Sequence, residues 1–161
     1  MVIVQPQQIS PTSVIVPFGD GGGLSRIDVE RVDDSWLVTE RWTTRNLKPS
    51  FNDFVYHDGH LYGFDQSIFT CIDVETGQRR WKRGRYGFGQ VLLFDEQELL
   101  LITTEQGWIV LLEANPERHT ELARIEALTD KTWNHPMVAR DRLVVRNGEE
   151  AICYDLSTGA E

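Results

Sequence analysis

The residues able to do chemistry in this sequence gather in three short segments. The run Arg79–Arg85 holds five of the sixteen basic residues, Arg79, Arg80, Lys82, Arg83 and Arg85, in a chain whose formal net charge is −9, and Tyr86 follows it directly. Residues 43–49 contribute Arg45 and Lys48, and residues 130–135 contribute Lys131, Trp133, Asn134 and His135. Cationic and aromatic side chains brought to one place suit an anionic or planar ligand, through charge-assisted hydrogen bonds and stacking. The competing reading places Arg79, Arg80 and Lys82 on a solvated strand and pairs Arg83 and Arg85 with nearby acids.

Other combinations give less. His57-Asp58-Gly59-His60 has the spacing of a metal-binding pair, but Asp58-Gly59 reads as a hairpin turn that the imidazoles flank, and no further His or Cys lies nearby in sequence. His135 is the better general-base candidate, with no Ser or Cys nucleophile identifiable beside it. Asp20, Asp33-Asp34 and Asp95-Glu96 read as turn acids. The glycines between Gly19 and Gly23 lack a following Gly-Lys-Ser/Thr and precede a β-like stretch, so they read as a hairpin turn and not as a phosphate cradle. The sequence therefore offers no catalytic set and no metal site.

Composition narrows the partners. At 161 residues and 40% hydrophobic, the chain can form one domain with a core. Its acidity argues against a nucleic-acid or anionic-membrane surface. No apolar run approaches the ~20 residues of a membrane helix. The first residues lack a basic segment, a long apolar stretch and a small-residue cleavage site, so they do not read as a signal peptide.

Positioning the three segments requires a repeat. Asp28, Asp73, Glu113 and Asp155 fall at intervals of 45, 40 and 42 residues, and each follows a short β run. Further β runs lie before and after each, which gives four strands per ~40 residues, the size of one propeller blade. Residues 121–128, helical by propensity, fall in register as an outer strand. The repeats lie at approximately 1–46, 47–86, 87–131 and 132–161. In such an arrangement the connections from each outer strand to the next inner strand reach one face near the central channel, where the three segments would meet. Cys71 and Cys153 occupy equivalent places in two repeats and are expected to be far apart, reduced and buried. Trp36 and Trp81 each stand eight residues after the repeat acid.

The segment Cys71-Ile72-Asp73-Val74-Glu75-Thr76-Gly77-Gln78-Arg79-Arg80-Trp81 resembles the tryptophan-docking repeat of the pyrroloquinoline-quinone-type (quinoprotein) β-propellers, roughly Ala-x-Asp-x-x-Thr-Gly-x-x-x-Trp, with Cys71 in the alanine place. The match is clear again at Asp155-Leu156-Ser157-Thr158-Gly159, partial around Asp28 and degenerate around Glu113. This family includes quinoprotein alcohol dehydrogenases and non-enzymatic relatives such as an outer-membrane assembly lipoprotein. The resemblance implies that Trp36 and Trp81 pack flat between adjacent blades, with Asp73 and Gly77 shaping the turn that fixes their approach. It also implies an exported or periplasmic parent. The enzymatic branch holds its quinone with a calcium ion in the channel and commonly has a disulfide of neighbouring cysteines. This chain has no adjacent cysteine pair, no Glu…Asn…Asp set that can be carried over, and half the blades of such enzymes.

The sequence thus reads as a single all-β domain, residues 1–161, a β-propeller of four repeats and half the number of an eight-bladed ring. Its expected function is non-enzymatic: a binding or scaffolding module with a basic and aromatic loop face and no cofactor, taking a protein or an anionic small ligand. The alternatives are the C-terminal part of a quinone-dependent dehydrogenase, with the quinone and calcium, or a glycan- or polyanion-binding propeller. Counting eight from Asp155 passes Glu161, so the fourth repeat is expected to lack its outer strand, with residues 1–5 the nearest candidate to cover the edge. A homodimer forming one eight-bladed ring, closure within the chain, and a missing propeller half are the three arrangements this suggests.

Overall fold

The structure, a computed structural model, describes residues 3–19 and 21–157. Among these residues there are fifteen strands and no helix, arranged as four antiparallel sheets in chain order. Sheet 1 is β1 (Gln7–Ser10), β2 (Ser13–Phe18), β3 (Gly23–Val32) and β4 (Ser35–Thr44). Sheet 2 is β5 (Val55–His57), β6 (His60–Asp65), β7 (Ile68–Asp73) and β8 (Arg79–Arg85). Sheet 3 is β9 (Gln90–Phe94), β10 (Leu99–Thr103), β11 (Trp108–Glu113) and β12 (Glu121–Glu126). Sheet 4 has three strands, β13 (Met137–Ala139), β14 (Arg142–Arg146) and β15 (Ala151–Asp155).

Local chemistry explains the elements. Asp58 and Gly59 both take positive φ, 40° and 73°, which is the two-residue hairpin turn that pairs His57 with His60. At the next corner Asp73 Oδ1 accepts Thr76 N and Thr76 Oγ1, each at 2.8 Å, while Gly77 takes φ 67°. In β6 and β7 nearly every residue is buried, because sheets 1 and 3 cover both faces of sheet 2. Strand β12, exposed along its length, is a strand despite its helix-favouring composition, since its pairing with β11 outweighs intrinsic propensity.

The sheets stack through alternating faces. One cluster joins sheets 1 and 2 (Ile15, Leu24, Leu61, Ile72), a second joins sheets 2 and 3 (Tyr62, Phe69, Trp81, Leu100, Leu112), and a third joins sheets 3 and 4 (Leu101, Ile109, Leu143, Val145). Among the described residues no buried cluster joins sheet 4 to sheet 1.

Three expectations are corrected. Trp36 is 67% exposed and does not dock between sheets. The docking indole of sheet 1 is Trp42, which pairs with Arg26 as Trp81 pairs with Cys71, two residues before the repeat acid in each case. The eight-residue count fails because β3 and β4 run on past Asp28, pairing as far as Val32 with Ser35, so the hairpin carries six more residues than its counterpart in sheet 2. Cys153 is exposed, since the face of sheet 4 that bears it is uncovered, whereas Cys71 is buried; both are free thiols. Residues 3–6 of the N-terminal segment do not form an outer strand of sheet 4. Residues 3–6 are not in a strand and Val4 is buried in the cluster of sheets 1 and 2, while Met1 and Val2 lie outside the described residues.

Candidate functional site

The three connections, β4 to β5, β8 to β9 and β12 to β13, are tied to one end of the stack by a chain of backbone bonds. Gln66 N donates to Lys48 O (3.3 Å), Tyr86 N to Ser67 O (3.1 Å), Glu105 N to Tyr86 O (2.9 Å) and Thr132 N to Glu105 O (2.9 Å). These bonds place the connections beside the β6–β7 and β10–β11 turns, so Arg85 and Trp133 lie at the same end of the molecule.

At that end three aromatic rings meet, one from each connection. Phe51 stacks on Phe88 with centroids 5.7 Å apart and meets Trp133 edge-on at 5.2 Å. Trp133 is 45% exposed, and Lys131 Nζ lies 4.8 Å over its ring. Glu105 anchors the group: Oε1 accepts Trp133 Nε1 at 3.0 Å and Oε2 accepts Phe88 N at 3.2 Å. The carboxylate comes so near the chain at Gly87, φ 67°, that a Cβ there would lie 2.4 Å from Oε2, so the position requires glycine. His135 Nε2 stands 3.5 Å from Asp53 Oδ2. Beneath, Gln90 ties the connections together, donating to Trp133 O (3.1 Å) and accepting from Asp53 N (3.1 Å), and the buried Asn52 donates to Gly89 O at 2.9 Å. The result is a preorganised aromatic platform with Lys131 on its rim and the Glu105 carboxylate engaged by donors of the same site.

The other candidate residues have different surroundings. Arg45 is exposed on the first connection, where its carbonyl accepts Lys48 Nζ at 3.2 Å. Lys48 itself pairs with Asp65, a carboxylate with no exposed side-chain surface that also holds Arg79 Nη2 at 3.2 Å and Lys82 Nζ at 2.5 Å. Burial pushes the Asp65 carboxyl up, but hydrogen bonds and charge from Lys48 and Lys82 outweigh it and leave it below the ordinary carboxylate range. Three of the cations read from the sequence are thus bound around one structural anion. Arg83 is exposed on β8, Arg85 Nη1 reaches Ser67 Oγ at 3.3 Å, and Asn134 is half-buried beside Trp133.

Tyr86 is a correction, because it is a core residue and not part of the rim. It is buried between sheets 2 and 3, where its hydroxyl meets His119 Nε2 at 2.9 Å and donates to Glu121 Oε2 at 3.2 Å. Gly84, φ 80°, leaves room for this ring, which would lie 2.4 Å from a Cβ at that position. Arg124 clamps Glu121 through two 2.8 Å bonds. Burial lowers the pKa of His119 and raises that of Tyr86.

The repeat's indoles act between sheets. Trp42 Nε1 donates to Val74 O at 3.0 Å and its ring lies against Gly77, while Trp81, 8% exposed, donates to Asn115 O at 2.9 Å and meets His119 edge-on at 5.5 Å. His57 and His60 sit at the opposite end from the aromatic platform, lining a cavity of about 600 Å³ with Glu98, Glu113 and Arg118. There His57 Nδ1 bonds Asp95 Oδ1 and His60 Nδ1 bonds Asp58 O, each at 2.7 Å, so the two imidazoles have separate partners.

Sequence reasoning missed Phe51, Glu105 and Asp53, and placed Phe88 in the second connection without singling it out. A signal for two of them existed: Phe51 and Phe88 each precede an inner strand by a few residues in successive repeats.

No family model matches the chain, and no curated protein matches its sequence. Among solved structures, BamB from Moraxella catarrhalis aligns with a TM-score of 0.54 at 10% identity, over 99% of this chain and 59% of its own. The chain therefore spans well under two thirds of that protein. The computationally designed Ika4 protein aligns with a TM-score of 0.64 at 9% identity, over 98% of this chain and 99% of its own. At such identities the likeness is one of architecture, and together with the four antiparallel sheets it shows that the chain has a β-propeller fold built of four blades.

Proposed function

We propose that the chain is a non-enzymatic binding module whose loop face, Phe51, Phe88 and Trp133 with Lys131 at the edge, takes a planar group carrying negative charge. The observation that carries this reading is the convergence of three aromatic rings from three separate connections onto one exposed platform. Stacking gives such a platform affinity for a flat ligand, and Lys131 selects for an anion. In support of the non-enzymatic reading, both oxygens of the Glu105 carboxylate accept hydrogen bonds from the platform itself, Oε1 from Trp133 Nε1 and Oε2 from Phe88 N, which gives this carboxylate a structural role. The repeats are of the quinoprotein type by the same proposal. Its support is the paired docking of Trp42 and Trp81 onto the corner of the following sheet, with Asp73 holding Thr76 in that corner.

A planar aromatic anion, 8-hydroxypyrene-1,3,6-trisulfonate, tests the proposal by fluorescence anisotropy. Saturable binding is expected, with Trp133→Ala weakening it at least about tenfold and Lys131→Ala weakening it more at low salt than at high salt. Absence of saturable binding, or equal affinity in Trp133→Ala, overturns the reading.

A further inference from the structure

The three contacts between sheets obey one rule. In each, the face bearing the docking row of one sheet packs on the opposite face of the next. The rows are Ile15–Arg26–Trp42 in sheet 1, Tyr62–Cys71–Trp81 in sheet 2 and Leu101–Leu111–Ala123 in sheet 3. The receiving pairs are Leu61 with Ile72, Leu100 with Leu112, and Leu143 with Tyr154. By the same register, two faces are left over. Sheet 4 has the row Met137–Val144–Cys153 with Met137 59% exposed, and sheet 1 has the receiving pair Val14 with Ile27, flanked by Val29 and Val38.

We propose that these two faces bind each other between two copies of this chain, sheet 4 of one copy on sheet 1 of the other, so that two chains close head to tail into one ring of eight sheets. The occupant follows from continuity: the leftover faces are the same kind of pair, donor row and receiving pair, that forms the three interfaces inside the chain. Twofold symmetry makes the contact twice and covers both faces. An uncovered apolar sheet face is otherwise an association hazard.

Trp36 is a second, independent observation. At the first two internal interfaces the donor row ends in an indole that reaches the corner of the next sheet, Trp42 to Val74 O and Trp81 to Asn115 O. Among the described residues the row of sheet 4, Met137–Val144–Cys153, carries no indole. Sheet 1, where a receiving corner would be, has instead the elongated β3–β4 hairpin. Trp36 lies on that hairpin's receiving side, two residues from Val38, and lines a cavity of about 300 Å³ with Val14 and Val29. The junction therefore gets its indole from the receiving sheet, which accounts for a tryptophan left exposed on a hairpin six residues longer than its counterpart.

The test uses the full 161-residue chain. Sedimentation equilibrium at micromolar concentration is expected to give twice the 18.5 kDa chain mass. Trp36→Lys and Met137→Lys change exposed side chains on the two opposing faces. Each is expected to weaken association at least about tenfold while leaving the circular dichroism unchanged, as for removal of an interface anchor. Cys153, on the sheet 4 face, gives a second readout: its reaction with a maleimide is slow in the wild-type pair and fast in either variant. A wild-type monomer with a fast Cys153, an open polymer in place of a closed pair, or a dimer indifferent to both substitutions would overturn the proposal. Each of these readings is independent of pyrene-anion binding, so the loop-face proposal stands or falls separately.

Discussion

Replacing Trp81 by alanine separates the docking role from mere aromatic content. Trp81 is 8% exposed, contacts Tyr62 and Phe69 with centroids 6.0 Å away, meets His119 edge-on, and donates its indole N–H to Asn115 O. Truncating a buried aromatic costs about 3–5 kcal/mol through lost transfer energy and the cavity left behind. The freed Asn115 carbonyl adds on the order of 1 kcal/mol at most, since Asn115 borders an open cavity where water can replace the donor. The expected loss is therefore about 3–5 kcal/mol. Trp36→Ala, at a site 67% exposed, should fall within about 0.5 kcal/mol when the chain is monomeric. Urea unfolding in a Met137→Lys background, so that association does not contribute, measures both. Equal losses for Trp36→Ala and Trp81→Ala would refute the assignment of the docking register.

Removing the anion that gathers three cations should be costly: Asp65→Asn is expected to lose on the order of 3 kcal/mol, softened by the part-exposed ammonium groups of Lys48 and Lys82, as read by urea midpoint. Because the folded Asp65 carboxyl lies below its unfolded value, its stabilisation is full above the ordinary carboxylate range of about 4 and is lost as pH falls through the folded value; Asp65→Asn should remove that acid step from the pH–stability curve. His119 is also depressed, by burial, so its contribution is present above about 6.5 and declines as pH falls below that. His119→Gln should flatten the stability curve in that window, which thermal melts between pH 5 and 7 would show. The Cys71 thiol, pushed up to about 12 by burial, should resist maleimide in the native state and react only on unfolding, as mass spectrometry of the labelled protein would report.

The repeat itself was legible because its corner chemistry is local: Asp73, Thr76 and Gly77 bond one another within a single turn, and the all-β, four-sheet architecture follows from the spacing of such corners. The partner of the first corner was not, because a count from Asp28 presumes a tight turn, whereas strand pairing that continues to Val32 moves the docking indole from position 36 to 42. The loop face was half legible. Lys131, Trp133 and His135 announce themselves by residue type, but Phe51 stands just ahead of an apolar run, and only the start of β5 at Val55 leaves it in the connection. Glu105 lies in a turn of a different hairpin, and only the stacking of the sheets brings it under Trp133. Basic side chains were read as a ligand rim, yet Lys48, Arg79 and Lys82 converge on Asp65, a long-range grouping that no local pattern announces. Tyr86 went astray for a similar reason: its neighbours in sequence are cationic, while the φ of Gly84 directs the chain so that its ring enters the core.

The loop face can be read one indole at a time. The chain has five tryptophans, so its indole N–H resonances can be assigned singly by substitution and followed during titration with the pyrene trisulfonate. Binding at the platform predicts that the Trp133 resonance moves saturably while that of Trp36, on the receiving face of sheet 1, stays in place. Movement of Trp36 with Trp133 unchanged, or no saturable movement at all, would contradict the assignment of Phe51, Phe88 and Trp133 as the binding face.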